Sequence, residues 1–376
     1  MIYLDNAATT NYKPKEVIDA VNFALNNSFN ANRGGHIGSV YATQSINKVR
    51  EKAKRFVNCA REECTVFTKS CTEALNIAIL GSARRKGHVI ADVTHHNSVI
   101  RPLMELQKRG IIEVTLLQPD GEGLITPKAV LGAVRQNTYM VVVCAVSNVT
   151  GLAQPIKEIG YALHNKGLIY LVDCAQAAGY IPLNMQEFYI DMLAYPAHKG
   201  LHGVQGLGVL SFGEKNIPNP INYGGTGSDS QNVYQPEFTP DCFESGTQNC
   251  PAIYALGAAL DWWTLNYRVN LPKIQGLCLL LHNELNNLKG VKLFSAPNAS
   301  GIVSFDVENR DSNEIGDILS QKGIAVRSGL HCAPLIHKFL GSYERGLTRV
   351  SLSGENTVDD CYFLISALDK ILKGDE

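Results

Sequence analysis

The chain has 376 residues, a formal net charge of -1, and 45% apolar against 18% charged residues. This length and composition fit a soluble protein of two domains with a large apolar core. The near-zero charge offers no general attraction to nucleic acid or to an anionic membrane, so we expect neither as a partner.

The first ten residues, MIYLDNAATT, contain no basic segment followed by a long apolar run, so we expect no signal peptide. The longest apolar runs, such as MVVVCAV at 140–146, are far shorter than the ~20 residues needed to span a bilayer. We therefore expect a cytoplasmic protein. In that reducing compartment most of its ten cysteines should be free thiols.

From residue 64 onward, short apolar strands alternate with helical patterns. The predicted strands lie at 64–68, 88–93, 112–118, 139–147, 169–176, 191–199 and 206–212. The predicted helices between them lie at about 72–86, 97–109, 126–134 and 155–167. Apolar strands alternating with amphipathic helices are typical of an α/β fold with a mostly parallel sheet covered on both faces.

After about residue 245 the pattern changes. A long helical stretch runs from 251–266 toward 278–288. Three strands and a C-terminal helix follow, at 302–307, 323–328, 348–353 and about 357–373. This part of the chain predicts a smaller α+β domain.

Polar residues follow the predicted strands of the first part of the chain. They are Ser70-Cys71-Thr72-Glu73, His95-His96, Ser147-Asn148, Asp173 with Gln176, and His198-Lys199. Ligands of an open α/β sheet bind beyond the carboxyl ends of its strands. These residues are therefore candidates for one binding site.

The residue types at these strand ends suit a phosphorylated pyridine cofactor. Lys199 could form a Schiff base, and Asp173 could pair with a protonated pyridine nitrogen. The N–H groups at the start of the SCTEALN helix could hold a phosphate, and His95 could stack on a flat ring. Together they match pyridoxal 5'-phosphate (PLP).

Each of these residues also has an ordinary structural interpretation. A lysine beside an apolar run is usually a surface residue with a buried stem, and an aspartate at a strand end usually caps a turn. The SCTE sequence resembles an ordinary helix capping box, and adjacent histidines suggest a metal site. No single residue decides between these interpretations; their order and spacing favour the cofactor.

A second candidate is Cys332, in the loop AVRSGLHCAPL at 325–335. Its sequence neighbours Arg327, His331 and His337 would favour a reactive thiolate. The alternatives are a packed thiol and a metal ligand, but His331 and Cys332 lack two further ligands at suitable spacing. We therefore expect no metal site.

The motifs together resemble the cysteine desulfurase/selenocysteine lyase family, which belongs to the class V aminotransferase group of fold-type I PLP enzymes. The matching segments span nearly the whole chain and are YLDNAATT (3–10), FTKSCTEALNIAI (67–79), HHNSVIRP (95–102), SNVTG (147–151), DCAQAAG (173–179), AHKGLHGVQGLGVL (197–210), FESGTQNCPAI (243–253), VRSGLHCAPL (326–335) and TRVSLSGENT (348–357).

The resemblance implies a large PLP-binding domain at 14–262, with a mostly parallel seven-stranded sheet flanked by helices. It also implies a small α+β domain formed by 1–13 and 263–376, which carries the cysteine loop. Through Thr247, which would reach the phosphate of the neighbouring subunit's cofactor, it implies a homodimer with composite sites.

The resemblance also implies a role for each candidate residue. Those assigned to the cofactor are Lys199 as its covalent anchor, Asp173 at the pyridine nitrogen, Gln176 at the ring oxygen, His95 on the ring, Cys71, Thr72 and His198 at the phosphate, and Asn148 beside them. Arg349, Asn148 and Arg327 would bind the substrate. Lys199, Cys332 and His95 would be catalytic.

One residue departs from the family pattern. The position three before the cofactor lysine usually holds a small hydroxyl residue that binds phosphate, but here it is Pro196. Proline has neither a hydroxyl nor an N–H group. We therefore expect somewhat weaker PLP retention than in a typical family member.

The implied reaction converts L-cysteine to L-alanine and transfers its sulfur to Cys332 as a persulfide, from which a sulfur-acceptor protein could take it. Three alternatives remain. The enzyme could be a selenocysteine lyase acting on L-selenocysteine. It could be another lyase or an aminotransferase of the group, such as a kynureninase-like enzyme, although these do not need Cys332. It could also be a sulfur-relay protein without turnover, against which Lys199 and Asp173 argue.

Overall fold

The computed structural model describes residues 1–27, 29–31, 34–228 and 231–374. Its helices are α1 Lys15–Asn26, α2 Ile37–Phe56, α3 Cys71–Gly81, α4 Asn97–Lys108, α5 Pro127–Gly132, α6 Ile156–Leu163, α7 Cys250–Asn287, α8 Ser312–Gln321, α9 Pro334–Leu340 and α10 Val358–Lys373. Its strands are β1 Ile2–Tyr3, β2 Thr65–Thr68, β3 Gly87–Asp92, β4 Ile112–Leu117, β5 Thr138–Cys144, β6 Ile169–Asp173, β7 Met192–Pro196, β8 Gly208–Phe212, β9 Val291–Leu293, β10 Ile302–Val307, β11 Ile324–Ala325, β12 Arg327–Gly329 and β13 Leu347–Ser351. No helix in these ranges has the length and apolar character required to cross a bilayer.

The central element is a seven-stranded sheet in the order β2-β8-β7-β6-β5-β3-β4. Strands β4, β3, β5, β6 and β7 run parallel, and β8 is antiparallel to both of its neighbours. Every residue of β3, β5, β6, β7 and β8 is buried, because helices cover both faces. The predicted mostly parallel sheet is confirmed.

The C-terminal part has its own apolar core. A four-stranded antiparallel sheet in the order β12-β13-β10-β9 packs with α8, α10 and the second half of α7 around buried residues such as Phe305, Leu281 and Leu364. Strand β1 pairs with β11, so the N-terminus joins this part of the chain. Helix α7 continues without a break through the predicted boundary at 262/263. The domain boundaries themselves stay a prediction.

Helices α1, α2 and α9 were not identified from the sequence. Helix α1 buries only Val17 and Ala24, and Val17 packs against the small residues Ala255 and Ala259 of α7. The buried face of α2 consists largely of small and polar residues, among them Gly38, Ser39, Ala42, Arg50 and Ala53. Such faces give a weak apolar periodicity, which is why sequence patterning does not reveal these helices.

Candidate functional site

A cavity opens at the carboxyl ends of β5, β6 and β7, where the starts of α3 and α4 meet them. Of the residues predicted from the sequence, it brings together Cys71, Thr72, Asn148, Asp173, Gln176, His198 and Lys199. Other residues in its wall include Ser70, His96, Ser98, Cys144 and Pro196. This is the edge at which ligands of open α/β sheets bind.

Lys199 and Asp173 supply the opposite charges of this cavity. Asp173 is the last residue of the fully buried strand β6, and its Oδ1 accepts a hydrogen bond from the N–H of Ala175 at 2.9 Å. Burial lowers the pKa of Lys199 below its usual value. A larger fraction of the neutral amine is therefore available for nucleophilic attack or proton transfer.

The start of α3 forms one end of the cavity. Ser70 caps the helix, its Oγ accepting from the N–H of Glu73 at 3.1 Å. The N–H groups of the first turn, which include those of Cys71 and Thr72, have no intrahelical acceptor and suit an anion such as phosphate. Gly208 of β8 makes the close approach to this turn feasible, because a β-carbon there would overlap the main chain of Ser70 and Cys71.

Three buried polar atoms in the cavity have no hydrogen-bond partner among the described residues: Asn148 Oδ1, Gln176 Oε1 and His198 Nδ1. Gln176 is fixed in orientation because its Nε2 donates to the carbonyl oxygen of Ala7 at 2.8 Å. Buried polar atoms are rarely left unpaired. Their convergence beside Lys199 and Asp173 therefore fits a polar, flat, phosphorylated group such as PLP.

The two adjacent histidines are placed differently. The ring of His95 is fully buried, with Nε2 3.1 Å from the carbonyl oxygen of Val142 and 3.3 Å from Asp92 Oδ2, and its Nδ1 has no partner within the described residues. His96 lines the cavity. It also caps α4, because its Nδ1 accepts from the N–H of Ser98 at 3.0 Å, and this bond fixes the ring. The predicted contact of His95 with the cofactor ring stays a prediction, and His96 is a second candidate for it.

His96 and His198 are both uncharged side chains in this cavity. Burial is the largest cause that lowers the pKa of each to about 4. For His198, the nearby charge of Lys199 adds to the effect. His198 can therefore donate a hydrogen bond to a phosphate oxygen only as a neutral imidazole.

Cys332 is the one exposed cysteine among the ten, all of which lie in the described residues and are free thiols. It lies in the Cys332 turn (residues 330–333), which is closed by a hydrogen bond from the N–H of Ala333 to the carbonyl oxygen of Leu330 at 2.8 Å. His331 and Cys332 both have positive φ, 51° and 55°. For residues other than glycine this conformation costs about 1–3 kcal/mol each, so surrounding contacts must hold it.

Two hydrogen bonds attach the Cys332 turn to the large sheet and its helices. Asn148 Nδ2 donates to the carbonyl oxygen of His331 at 2.8 Å, and the N–H of Asn97 donates to that of Cys332 at 2.7 Å. Arg327 Nη2 lies 3.7 Å from Cys332 Sγ. The guanidinium is therefore the charged group in contact with the Cys332 sulfur.

The groove that contains Cys332 is adjacent to the cavity. Thr72, His96 and Ser98 line both the cavity of Lys199 and this groove. The thiol and the lysine, which are far apart in the chain, therefore lie in neighbouring spaces that share a wall. In the part of the chain that the structure describes, no three His, Cys, Asp or Glu side chains cluster as a metal site.

Arg349 lies behind Asn148, a residue of the cavity wall. Its side chain is almost fully buried, with Nη1 donating to the carbonyl oxygen of Asn148 and Nη2 to Asp5 Oδ1, both at 2.9 Å. Its Nε has no partner within the described residues. The predicted contact of Arg349 with a substrate carboxylate stays a prediction, which this unpartnered Nε–H group fits.

Thr247 is the predicted site residue that lies apart from the others. It lines a second depression together with Thr68, Gly206 and Asn222. Within one chain it therefore does not complete the Lys199 cavity. The predicted contact of Thr247 with a neighbouring subunit's cofactor stays a prediction.

Comparisons with known proteins place this geometry in a family. The model of the class-V aminotransferases matches residues 2–364. A probable cysteine desulfurase of Methanothermobacter thermautotrophicus is 35% identical, over 98% of this chain and 94% of that protein. A cysteine desulfurase of Yersinia pseudotuberculosis is 31% identical, over 99% of this chain and 94% of that protein.

Solved structures agree with the sequence relatives. The apo structure of a cysteine desulfurase from Thermococcus onnurineus superposes with a TM-score of 0.91 at 28% identity, covering 99% of this chain and 95% of that one. A cysteine desulfurase from Escherichia coli, in its S-sulfonic acid form, gives 0.87 at 26% identity, covering 99% and 94%. The chain belongs to the class-V aminotransferase family, with the fold-type I architecture of the cysteine desulfurases.

Proposed function

We propose that this chain is a PLP-dependent cysteine desulfurase that moves the sulfur of L-cysteine onto Cys332. The observation that carries the proposal is that the spaces around the two reactive groups share a wall. Thr72, His96 and Ser98 belong both to the cavity of Lys199 and to the groove of Cys332. A substrate held beside Lys199 would thus present its sulfur toward the exposed thiol.

The cavity residues would hold PLP in a defined orientation. Lys199 would anchor it covalently, Asp173 would face its ring nitrogen, and His96 would contact its ring. The first turn of α3 and His198 Nδ1 would bind its phosphate, and Gln176 would meet its ring oxygen. When bound, PLP supplies an electron sink that stabilises negative charge on the substrate's α-carbon.

Lys199 would carry the protons of the reaction. Because its pKa is lowered by burial, the amine can take the α-proton of the bound amino acid and return it later. Arg349 Nε–H, with Asn148 beside it, would bind the substrate carboxylate. This contact would direct the substrate side chain toward the groove.

Cys332 would collect the sulfur. Its thiolate attacks the substrate sulfur, so that an S–S bond forms while the substrate's C–S bond breaks. The carbon keeps the electron pair of the broken bond and takes a proton, which gives the methyl group of alanine. L-cysteine and one thiol thus become L-alanine and one persulfide, and all atoms are conserved.

The experiment is an assay of the PLP-loaded protein with L-cysteine, in which alanine is quantified and the persulfide is located by peptide mass spectrometry. We expect one persulfide, on Cys332. The Lys199→Ala variant should lose alanine formation, and Cys332→Ser should lose the persulfide. Full sulfide production by Cys332→Ser would overturn the assigned role of Cys332. L-selenocysteine assayed in parallel measures the preference between the two substrates.

We also propose a homodimer whose sites are composite, with Thr247 reaching the partner's cofactor, and a protein thiol as the acceptor of the persulfide sulfur. The exposure of Cys332 supports transfer to an external thiol. The free state of all ten cysteines supports a reducing compartment such as the cytoplasm.

A further inference from the structure

Three buried side chains form a hydrogen-bonded chain beneath the Cys332 turn. Ser342 Oγ lies 2.9 Å from His337 Nδ1, His337 Nε2 lies 3.2 Å from His331 Nδ1, and His331 Nε2 lies 3.2 Å from the carbonyl oxygen of Arg327. All three side chains belong to buried residues. We call this set, Ser342, His337 and His331, the histidine relay.

The carbonyl oxygen of Arg327, at the end of the histidine relay, determines which atoms of the relay carry the hydrogens. A carbonyl oxygen only accepts, so His331 Nε2 carries a hydrogen and donates to Arg327 O. The Nδ1 of a neutral His331 is then an acceptor, so His337 Nε2–H donates to it. His337 Nδ1 in turn accepts from the hydroxyl of Ser342. All three groups are neutral, and every nitrogen of both rings is paired.

The His331 end of this arrangement is attached to the surroundings of the thiol. The acceptor at its end is the main chain of Arg327, whose guanidinium lies 3.7 Å from Cys332 Sγ. His331 immediately precedes Cys332 and is itself in the left-handed conformation. Its carbonyl oxygen accepts from Asn148, a residue of the cavity wall. The relay therefore connects the guanidinium, the strained turn and the cavity.

An added proton would break the relay. Protonation of His331 would place an N–H on Nδ1, facing the N–H of His337 Nε2. Burial is the main cause that lowers the pKa of His331 well below its usual value and that of His337 to about 4. The charges of Arg349 of β13 and Arg327 of β12, together with His337 of α9, also lower the pKa of His331, whereas its hydrogen bond to the carbonyl oxygen of Arg327 raises it.

We propose that Ser342, His337 and His331 are positioning residues for sulfur transfer, which hold Arg327 and the Cys332 turn so that the thiol lies beside the guanidinium and faces the groove. This inference rests on the proposed function for its catalytic part. The other part, that the histidine relay controls the reactivity of Cys332, concerns the protein without substrate.

The test measures the rate at which iodoacetamide alkylates Cys332 in the PLP-loaded protein, as a function of pH and with the modified peptide identified by mass. The other nine cysteines are buried or half-buried, so Cys332 reacts first. His337→Phe keeps the size of the ring but removes both nitrogens. His337→Gln is the matched control, because its amide N–H can still donate to His331.

We expect His337→Phe to lower the alkylation rate of Cys332 about tenfold across the pH profile, the equivalent of one lost buried hydrogen bond that holds the turn. The kcat for persulfide formation should fall with it, whereas KM for L-cysteine should change little, because the substrate cavity is intact. His337→Gln should stay closer to the wild type in both measurements. A wild-type alkylation profile in His337→Phe, or equal impairment in His337→Gln, would overturn the proposal.

Separate control measurements check that each variant folds and that the proposed function holds. Circular dichroism and the visible absorbance of bound PLP report whether each variant folds and binds its cofactor. If His337→Phe does not fold, Ser342→Ala replaces it, since it leaves both rings in place and removes only the hydroxyl that donates to His337. An unchanged profile in Ser342→Ala would then contradict the relay. Failure of the proposed function itself appears differently, as a wild-type protein without persulfide on Cys332 but with the expected alkylation profiles.

Discussion

At the scale of single residues, the adjacent histidines His95 and His96, which follow β3, have different surroundings. His95 faces the interior of the sheet, where its Nε2 contacts the carbonyl oxygen of Val142 and the carboxylate of Asp92. His96 turns the other way, because capping α4 through Ser98 directs its ring to the cavity. Of the two, His96 is the histidine in the cavity wall, and the role predicted for His95 at the cofactor ring stays a prediction.

Substitution of each histidine should distinguish a contribution to catalysis from a contribution to stability. We expect His96→Ala to lower kcat/KM at least about tenfold, the value of one lost ring contact, with a melting temperature close to that of the wild type. His95→Ala should instead lower the melting temperature, because it leaves a buried cavity and removes a partner of Asp92. Steady-state kinetics and thermal unfolding of both variants are the measurements. The reverse pattern would assign the ring contact to His95.

Pro196 is a second residue with a separate prediction. It ends β7 and lines the cavity, and it cannot donate a hydrogen bond to a phosphate. We expect Pro196→Ser to release PLP more slowly during dialysis, because the hydroxyl adds a phosphate contact. The loss of visible absorbance over time measures the release. An unchanged release rate would show that the rest of the site already satisfies the phosphate.

At the scale of elements, the phosphate end of the cavity depends on how closely β8 approaches α3. The first turn of α3 presents its N–H groups only if the main chain of β8 passes directly beside Ser70 and Cys71. Gly208, at the start of β8, allows this approach because it lacks a β-carbon. The position of a helix terminus is here set by a strand more than a hundred residues away in the chain.

We expect Gly208→Ala to lower the free energy of unfolding by about 1–3 kcal/mol and to weaken PLP binding, because the added methyl group forces β8 and α3 apart. Gly213→Ala is the matched control. A β-carbon there would have its nearest neighbour, Asp191 O, at 3.7 Å, which is an ordinary contact. Denaturant unfolding and PLP titration of both variants test this. Equal effects of the two substitutions would contradict the argument.

At the scale of the whole molecule, the candidate site lies between two apolar cores. Lys199 and Asp173 come from the part built around the seven-stranded sheet, whereas Cys332 and Arg349 come from the C-terminal part. The N-terminal segment joins the two. Strand β1 pairs with β11, and the N–H of Thr10 donates to the carbonyl oxygen of His198 at 3.1 Å. The distance between thiol and lysine therefore depends on contacts from both cores.

Buried neutral histidines should make the whole fold sensitive to acid. Burial is the main cause that lowers the pKa of His96, His198, His202 and His337 from 6.5 to about 4. As pH falls through this range, the unfolded chain takes up protons that the folded protein does not bind, so the free energy of unfolding falls. Urea unfolding across the range measures the slope. His337→Gln should reduce it, and a flat profile in the wild type would contradict the prediction.

Much of the fold and of the cavity could be predicted from the sequence. Fully apolar strands such as β5 and β6 indicate a covered parallel sheet without reference to their neighbours. The polar residues after them, such as Asn148 and Asp173, converge because parallel strands end at one edge of the sheet. Helices α1 and α2 were missed because their buried faces carry few large apolar side chains.

The sequence by itself determined the family, the architecture and the pairing of a lysine site with an exposed cysteine, because apolar periodicity and motif order are local properties of the chain. Only the tertiary structure showed that His96 lies in the cavity wall, that Arg349 Nε has no partner within the described residues, and that His337 and Ser342 lie behind the Cys332 turn. These features depend on side-chain direction and on contacts between distant segments. Packing fixes both, and the order of residues along the chain does not.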